Sequence, residues 1–291
     1  QQRLFEASAP VSGDGTIGEW SAPRPSIETL TPEYCAADEH HGEPGRIKAF
    51  RDPAFFRDPM DGAEYLVFTA SLAATGSDYN GAVGLARRDG SGWSLLPPLV
   101  HADGVNNELE RAHVVFRNGM YYLFWVTQTS TFAPDANAGP TGLYGMASHS
   151  LSGPWAPLNG SGLVLANPAD DPRRAYSWFV SAEGIAASFV DDPGAHGFVG
   201  APAPLLQLAF ESAEGGGRIR AACFLFGDWP QVHWRHFRGG RRPSQVIGRE
   251  VRLEVRRGVH GGFGCEFQVR CRVGSSVGVH GGLASHLEPF A

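Results

Sequence analysis

The 291-residue sequence predicts an all-β fold of the β-propeller kind, and three observations carry that reading. Glycine (38 residues) and proline (21) are plentiful and aromatics make up 11%, which suits short strands joined by tight turns better than a helical bundle. A strand–turn–strand unit recurs between residues 51 and 190. The copies begin about 60 residues apart, room for one four-stranded blade each with insertions.

The first copy is Arg51-Asp52-Pro53-Ala54-Phe55-Phe56, a turn at Asp61-Gly62, and Glu64 to Thr69. The second is Glu110 to Phe116, a turn at Asn118-Gly119, and Tyr121 to Val126. A weaker third is Tyr176 to Val180, a turn at Glu183-Gly184, and Ile185 to Val190. Gly-containing turns between β-branched and aromatic runs are hairpin signals. Segments 81–88 and 141–149 are placed to supply further strands. Each copy opens on a polar group: Asp52, Glu110 and Tyr176. As openings of innermost strands these converge on one end of a central channel; on spacing alone they are equally readable as unrelated strand-edge polar groups.

Carboxylates brought together from different blades suit glycoside chemistry, in which one acid protonates the leaving oxygen and another attacks or stabilises the cationic sugar. Arg51 and Pro53 flank Asp52, supplying a cation and a restrained backbone. In Glu108-Leu109-Glu110-Arg111, strand alternation puts both glutamates on one side, where like charge raises one pKa as a general acid requires. The second Arg-Asp-Pro, Arg57-Asp58-Pro59, reads as the opening of the turn into 64–70. Asp103, Asn106, Asn107 and Glu108 form an oxygen-rich run without the ligand order of a calcium loop, and read as a solvated loop. His40-His41 and His233/His236 lack a third ligand and read as surface histidines. Neither a disulfide framework nor a zinc site is expected from Cys35, Cys223, Cys265 and Cys271. Serine hydrolases and nucleotide enzymes are not in the front rank of this reading.

At 42% hydrophobic and 19% charged the chain has the apolar content for a full core, in one large domain or two small ones. It contains no run of about 18 apolar residues, so no membrane helix is expected. The net charge of −6 is uneven, because from Arg218 onward 12 Arg stand against 5 acids. Lys48 is the only lysine, a usage that reads as codon bias, and the basic tail lacks the aromatic–basic motif of a nucleic-acid surface.

Several motifs in order resemble levansucrases and related bacterial fructosyltransferases of glycoside hydrolase family 68. They are Phe50-Arg51-Asp52-Pro53, Glu108-Leu109-Glu110-Arg111-Ala112, Phe116-Arg117-Asn118-Gly119 through Phe124, Leu151-Ser152-Gly153-Pro154-Trp155, Pro157-Leu158-Asn159, Gly162-Leu163-Val164-Leu165 and Tyr176-Ser177-Trp178-Phe179. The resemblance spans roughly residues 1–210. It implies a five-bladed propeller that cleaves sucrose through a covalent fructosyl-enzyme and passes fructose to levan, sucrose or water, without a cofactor. It places the transition-state-stabilising aspartate at Asp52, the general acid/base at Glu110, and sugar contacts at Arg51, Glu108, Arg111 and Tyr176. Gln128 falls on the acceptor side, and with Thr129 to Pro134 is similar to Gram-negative forms, which generally lack the calcium site; Asn107 replaces the aspartate of the calcium-binding relatives.

The sequence departs from the family pattern at two places. The family nucleophile lies in a Trp-Asp-x-Trp motif upstream of Arg-Asp-Pro, and no such motif occurs here. Residues 1–30 read as the blade before the Asp52 strand, so the first blade and its nucleophile are expected to be missing and this polypeptide inactive. After Ala201-Pro202-Ala203-Pro204-Leu205-Leu206 the family-like text gives way to an Arg/Gly/His-rich stretch with a repeated Val-His-Gly-Gly at 259–262 and 279–282. The expected organisation is a partial catalytic propeller at 1–217 and an atypical, irregular tail at 218–291, frameshifted or lineage-specific and poorly packed. Alternatives are a sucrose or fructan hydrolase of the same architecture, a non-catalytic glycan-binding propeller, and a propeller for protein interaction. The expected partners are sucrose and fructan acceptors, with neither nucleic acid nor membrane. A secreted or periplasmic monomer is expected, its location by resemblance alone.

Overall fold

The computed structural model describes residues 2–38, 42–73, 75–169, 171, 175–190 and 201–211, and the backbone of strands 218–223, 251–258 and 266–273. Among the described residues there is no α-helix and no helix long and apolar enough to cross a membrane. A short pair, β1 (Phe5–Glu6) and β2 (Arg24–Pro25), precedes an up-and-down sheet of β3 (Phe50–Arg57), β4 (Glu64–Ser71), β5 (Gly81–Asp89) and β6 (Gly92–His101). The second sheet runs from β7 (Glu110–Arg117) through β8 (Met120–Thr127) and β9 (Gly142–Ser148), which takes β10 (Ala156–Pro157) and β11 (Leu163–Ala166) as partners. The third comprises β12 (Tyr176–Val180), β13 (Ile185–Val190) with the short β14 (Ala201–Pro202), β15 (Leu206–Glu211) and β16 (Arg218–Cys223). A hairpin of β17 (Val251–Gly258) and β18 (Glu266–Val273) joins the second sheet through a parallel contact with β11.

The three expected hairpins are therefore the first two strands of three consecutive meanders, and segments 81–88 and 141–149 fall on β5 and β9. Their turns form where the sequence puts residues that accept positive φ. Asn118 (52°) and Gly119 (75°) make the two-residue connection between Arg117 and Met120, and Gly62 (73°) and Gly184 (83°) turn the other two.

The sheets stack face to face because their middle strands are apolar on both sides. On β8, Leu123 and Trp125 pack toward Val67, Val83 and Leu85 of the first sheet. Tyr122, Phe124 and Val126 pack the other way, against Trp178, Val180, Leu206 and Leu208 of the third. This alternation is the period-2 pattern of a strand buried between two layers. It brings β3 and β7, and β7 and β12, side by side.

Residues 1–30 do not form the blade expected of them. They contribute two-residue strands and an isolated Val11–Ile17 bridge, with Phe5, Val11, Ile17 and Trp20 exposed, while Leu4 and Ile27 pack on the first sheet. Pro10, Pro23 and Pro25 remove ladder donors and Gly13, Gly15 and Gly18 weaken strand formation, so a regular meander cannot propagate there. Beyond residue 217, β16 pairs in register with β15, and β17 and β18 are strands where irregular chain was expected. The packing of side chains in 218–291, with the tail motifs and His233/His236, lies outside the described residues, as do His40 and His41.

Asp58 has the structural role its turn suggested. It is 5% exposed and accepts the Tyr121 hydroxyl at 2.8 and 2.9 Å, tying the β3–β4 turn to β8. Burial together with this carboxylate pushes the Tyr121 phenol up to about 12. Tyr121→Phe leaves the buried carboxylate without that donor and is expected to lower unfolding free energy by about 1–3 kcal/mol. Urea titration checks this; an unchanged midpoint would show that the link carries no net stability.

Candidate active site

The inner strands share one irregularity. Arg51 pairs with Thr69 but Ala54 with Val67; Glu110 pairs with Val126 but His113 with Phe124; Tyr176 pairs with Phe189 but Phe179 with Ala187. In each case two residues oppose one, a β-bulge that re-aims a side chain. The first residue of each bulge has positive φ: Asp52 at 55°, Arg111 at 52° and Ser177 at 58°. None is glycine, and the left-handed region costs an L-residue roughly 1–2 kcal/mol.

The bulges correct the alignment of the repeats. Arg51, Glu110 and Tyr176 occupy equivalent ladder positions, while Asp52 shares its place with Arg111 and Ser177. One residue of offset brings Arg51, rather than Asp52, opposite the glutamates. Its Nη2 donates to Glu108 Oε1 and, at 2.8 Å, to Glu110 Oε1, while its Nε lies 3.5 Å from Asp52 Oδ2. Asp52 also receives the Thr69 hydroxyl at 3.4 Å. Three of the expected acids therefore meet on one guanidinium.

Glu108 is held by the oxygen-rich run before β7, in which Asp103 is exposed as expected of a solvated loop but Asn106, Asn107 and Glu108 are buried. Asn106 and Asn107 are 3% and 0% exposed. Asn106 Oδ1 accepts the Glu108 N–H at 2.8 Å and the Thr131 hydroxyl at 3.0 Å, and Asn107 donates to the Asp78 carbonyl and accepts the Gly45 N–H. These amides stand in for the ladder partners that a loop lacks, which is why they are buried. Gly81 allows the close fit, since a Cβ there would lie 2.6 Å from the Asn107 carbonyl. The Thr131 hydroxyl, which has one proton to share, also lies 2.9 Å from the Gln128 carbonyl, so the same tether reaches the expected acceptor side.

Gln128 donates to the Tyr176 hydroxyl at 3.4 Å, forming a second pair between the second and third sheets. The structure joins Arg51, Asp52, Glu108 and Glu110 as one cluster and Gln128 with Tyr176 as another. Arg111 is exposed at its bulge, its backbone N–H bonded to Thr69 Oγ1 at 2.9 Å. Thr69 escaped the sequence reading; its signal was a lone hydroxyl in the buried run Val67-Phe68-Thr69-Ala70. Among the described residues no group of His, Cys, Asp and Glu is arranged to hold a metal ion.

Burial, then the charge of Glu108, pushes Glu110 up to about 7; Arg51 opposes the shift and Asp52 adds to it. Burial works against the Arg51 charge, but Glu110 and Glu108 outweigh it and hold the guanidinium protonated. Glu110 Oε2 is buried without a hydrogen-bond partner. A proton on that oxygen has no internal acceptor.

Stacked four-stranded meanders whose inner strands lie side by side, as here, are an arrangement of the β-propeller kind. The chain belongs to the Levansucrase/Invertase family, glycoside hydrolase family 68, which residues 76–230 match. That stretch contains Glu108, Glu110, Arg111, Gln128 and Tyr176 and begins after Arg51-Asp52. The levansucrase of Zymomonas mobilis is 40% identical over 191 residues, 55% of this chain and 45% of that protein. An extracellular sucrase of the same bacterium is 40% identical over 170 residues, 49% and 41% of the two chains. This chain spans about half the length of the curated relatives it matches. Among solved structures, an inulosucrase from Halalkalicoccus jeotgali bound to kestose superposes with a TM-score of 0.62 at 37% identity, covering 76% of this chain and 61% of that one. A B. megaterium levansucrase shares the fold, with a TM-score of 0.63 at 21% identity over 76% and 60% of the chains.

The raised Glu110 pKa fixes a stability profile. Its ordinary value is 4.5 and its folded value about 7, so above pH 7 the fold carries the cost of a charge it disfavours. That cost disappears as pH falls from about 7 to 4.5. Glu110→Gln, which cannot ionise, is expected to stabilise the protein at pH 8 and to be near neutral at pH 4.5, as read by denaturant midpoints. Equal effects at both pH values would exclude the raised pKa.

Proposed function

We propose that the site is laid out for the first half of a retaining fructosyl transfer from sucrose, with Glu110 as general acid, a step that also needs a nucleophile this sequence does not supply. The observation that carries this is the buried, unpartnered Glu110 Oε2 on a carboxyl whose pKa is held near 7 beside Arg51. Glu110 gives its proton to the glycosidic oxygen as the bond from that oxygen to the fructosyl anomeric carbon breaks, so glucose leaves neutral. Asp52 binds fructosyl hydroxyls and stabilises the developing positive charge, while Arg51 and Glu108 hold the acid and the sugar. A carboxylate nucleophile then bonds to the anomeric carbon. In the second half Glu110, now ionised, takes a proton from the attacking hydroxyl of a fructan, sucrose or water. Gln128, Tyr176 and Arg111 contact the donor or acceptor sugars.

Asp52 and Glu108 are both engaged by Arg51, and the sequence has no Trp-Asp-x-Trp to supply the nucleophile. The reading is thus of a five-bladed catalytic frame of which this chain forms part, binding sucrose without turning it over. Secretion and a monomeric state go with it, the first supported by the extracellular sucrase among the relatives.

Calorimetry with sucrose and a glucose-release assay test the proposal together. Saturable sucrose binding is expected, weakened about tenfold or more by Asp52→Asn through loss of a charged hydrogen-bond acceptor, with no glucose released. Absence of binding, or indifference to Asp52→Asn, would overturn the sugar site, and glucose release by this chain would overturn its inactivity.

A further inference from the structure

The bulge carrying Glu110 is held from both sides by residues outside the acid cluster. A bulge residue leaves the ladder, so in a buried setting its peptide groups need other partners. For Arg111 these are two side chains. Its N–H is donated to Thr69 Oγ1 at 2.9 Å, and its carbonyl lies 3.1 Å from His113 Nδ1. His113 Nε2 accepts the Val180 N–H at 2.9 Å, so the proton of a neutral ring sits on Nδ1 and is donated to the Arg111 carbonyl. Thr69 belongs to the first sheet, His113 to the second and Val180 to the third, and all three chain segments connect at one left-handed residue.

We propose that Thr69 and His113 are positioning residues that clamp the Arg111 peptide groups and thereby set the aim of Glu110 toward substrate. The Arg111 N–H belongs to the peptide plane whose other end is the Glu110 α-carbon, so fixing it fixes the direction from which the carboxyl departs. The same Thr69 hydroxyl reaches Asp52 Oδ2 at 3.4 Å, so one oxygen relates the backbone of the acid to the group that stabilises charge. Thr69 is 0% and His113 4% exposed, and His113 is stacked at 4.7 Å on Phe179. Burial pushes the imidazole down to about 4, which keeps it neutral in its bridging form.

The proposal rests on the reading of Glu110 as the acid, and paired variants of the full chain separate the two. Thr69→Val and His113→Phe keep shape but remove the hydrogen bonds; Thr69→Ser and His113→Gln retain a donor and acceptor. Carbon-13 NMR of the Glu110 carboxyl gives its titration midpoint among the charges facing it, Arg51 and Asp52 from β3 and Glu108 from the preceding loop. Calorimetry gives sucrose affinity. The Val and Phe variants are expected to admit water to Glu110, lowering its midpoint by about one unit or more, and to weaken sucrose binding about tenfold, with Ser and Gln restoring both. Folded Val and Phe variants with the wild-type midpoint would overturn the clamp, as would Ser and Gln variants that fold without restoring it. Should Val or Phe prevent folding, nitrogen-15 NMR of wild-type His113 decides: a neutral Nδ1–H ring at pH 5 supports the bridge, and a charged or Nε2–H ring overturns it. If the wild type binds no sucrose yet the midpoint still falls in Thr69→Val and returns in Thr69→Ser, the sugar reading fails and the clamp stands.

Discussion

Arg51 is the group on which the arrangement of the acids depends. Asp52, Glu108 and Glu110 approach from two sheets, and like charges gathered in a half-buried space repel unless a cation lies between them. One guanidinium cannot neutralise three carboxylates, so the cluster sheds negative charge where a buried carboxylate oxygen lacks a donor. That place is Glu110, whose second oxygen has no partner. The acid is thus selected by a shortage of positive charge and of hydrogen-bond donors at its position, while Glu108, bonded to the same nitrogen, serves as its neighbour.

The shortage persists only if the frame cannot relax. Middle strands buried on both faces, with Leu123 and Phe124 at 0% exposure and back to back, leave little room for the sheets to slide. The Asn106 and Asn107 amides fix the loop that delivers Glu108, and the Asp58–Tyr121 contact fixes the turn beneath β3. The two amides replace hydrogen bonds that regular secondary structure would have supplied, and the third contact joins two side chains.

Much of the frame was legible in the sequence because strand signals are local. Alternation and the Asn118-Gly119, Asp61-Gly62 and Glu183-Gly184 turns located three hairpins, and the acids were found as acids. The equivalence of the repeats was misread by one residue, since nothing in Arg51-Asp52-Pro53 or Glu110-Arg111-Ala112 announces which member takes positive φ. Asn106 and Asn107 looked like loop residues because amides favour loops; only the fold shows that their partners are inside. Thr69 and His113 were passed over for the opposite reason, lying within apolar runs where core packing is the default. Residues 1–30 carried strand-like text, but their prolines and glycines decide against a meander.

The three bulge positions have a further consequence. Because Asp52, Arg111 and Ser177 stand outside the ladders, the side chain at each is not answerable to strand register. They are sockets, filled here by an anion, a cation and a hydroxyl. Such a design lets the group carried at each bulge be exchanged one sheet at a time without altering the ladders. It also narrows the exchange, since a β-branched residue is poorly tolerated at positive φ, so valine, isoleucine and threonine are poor occupants.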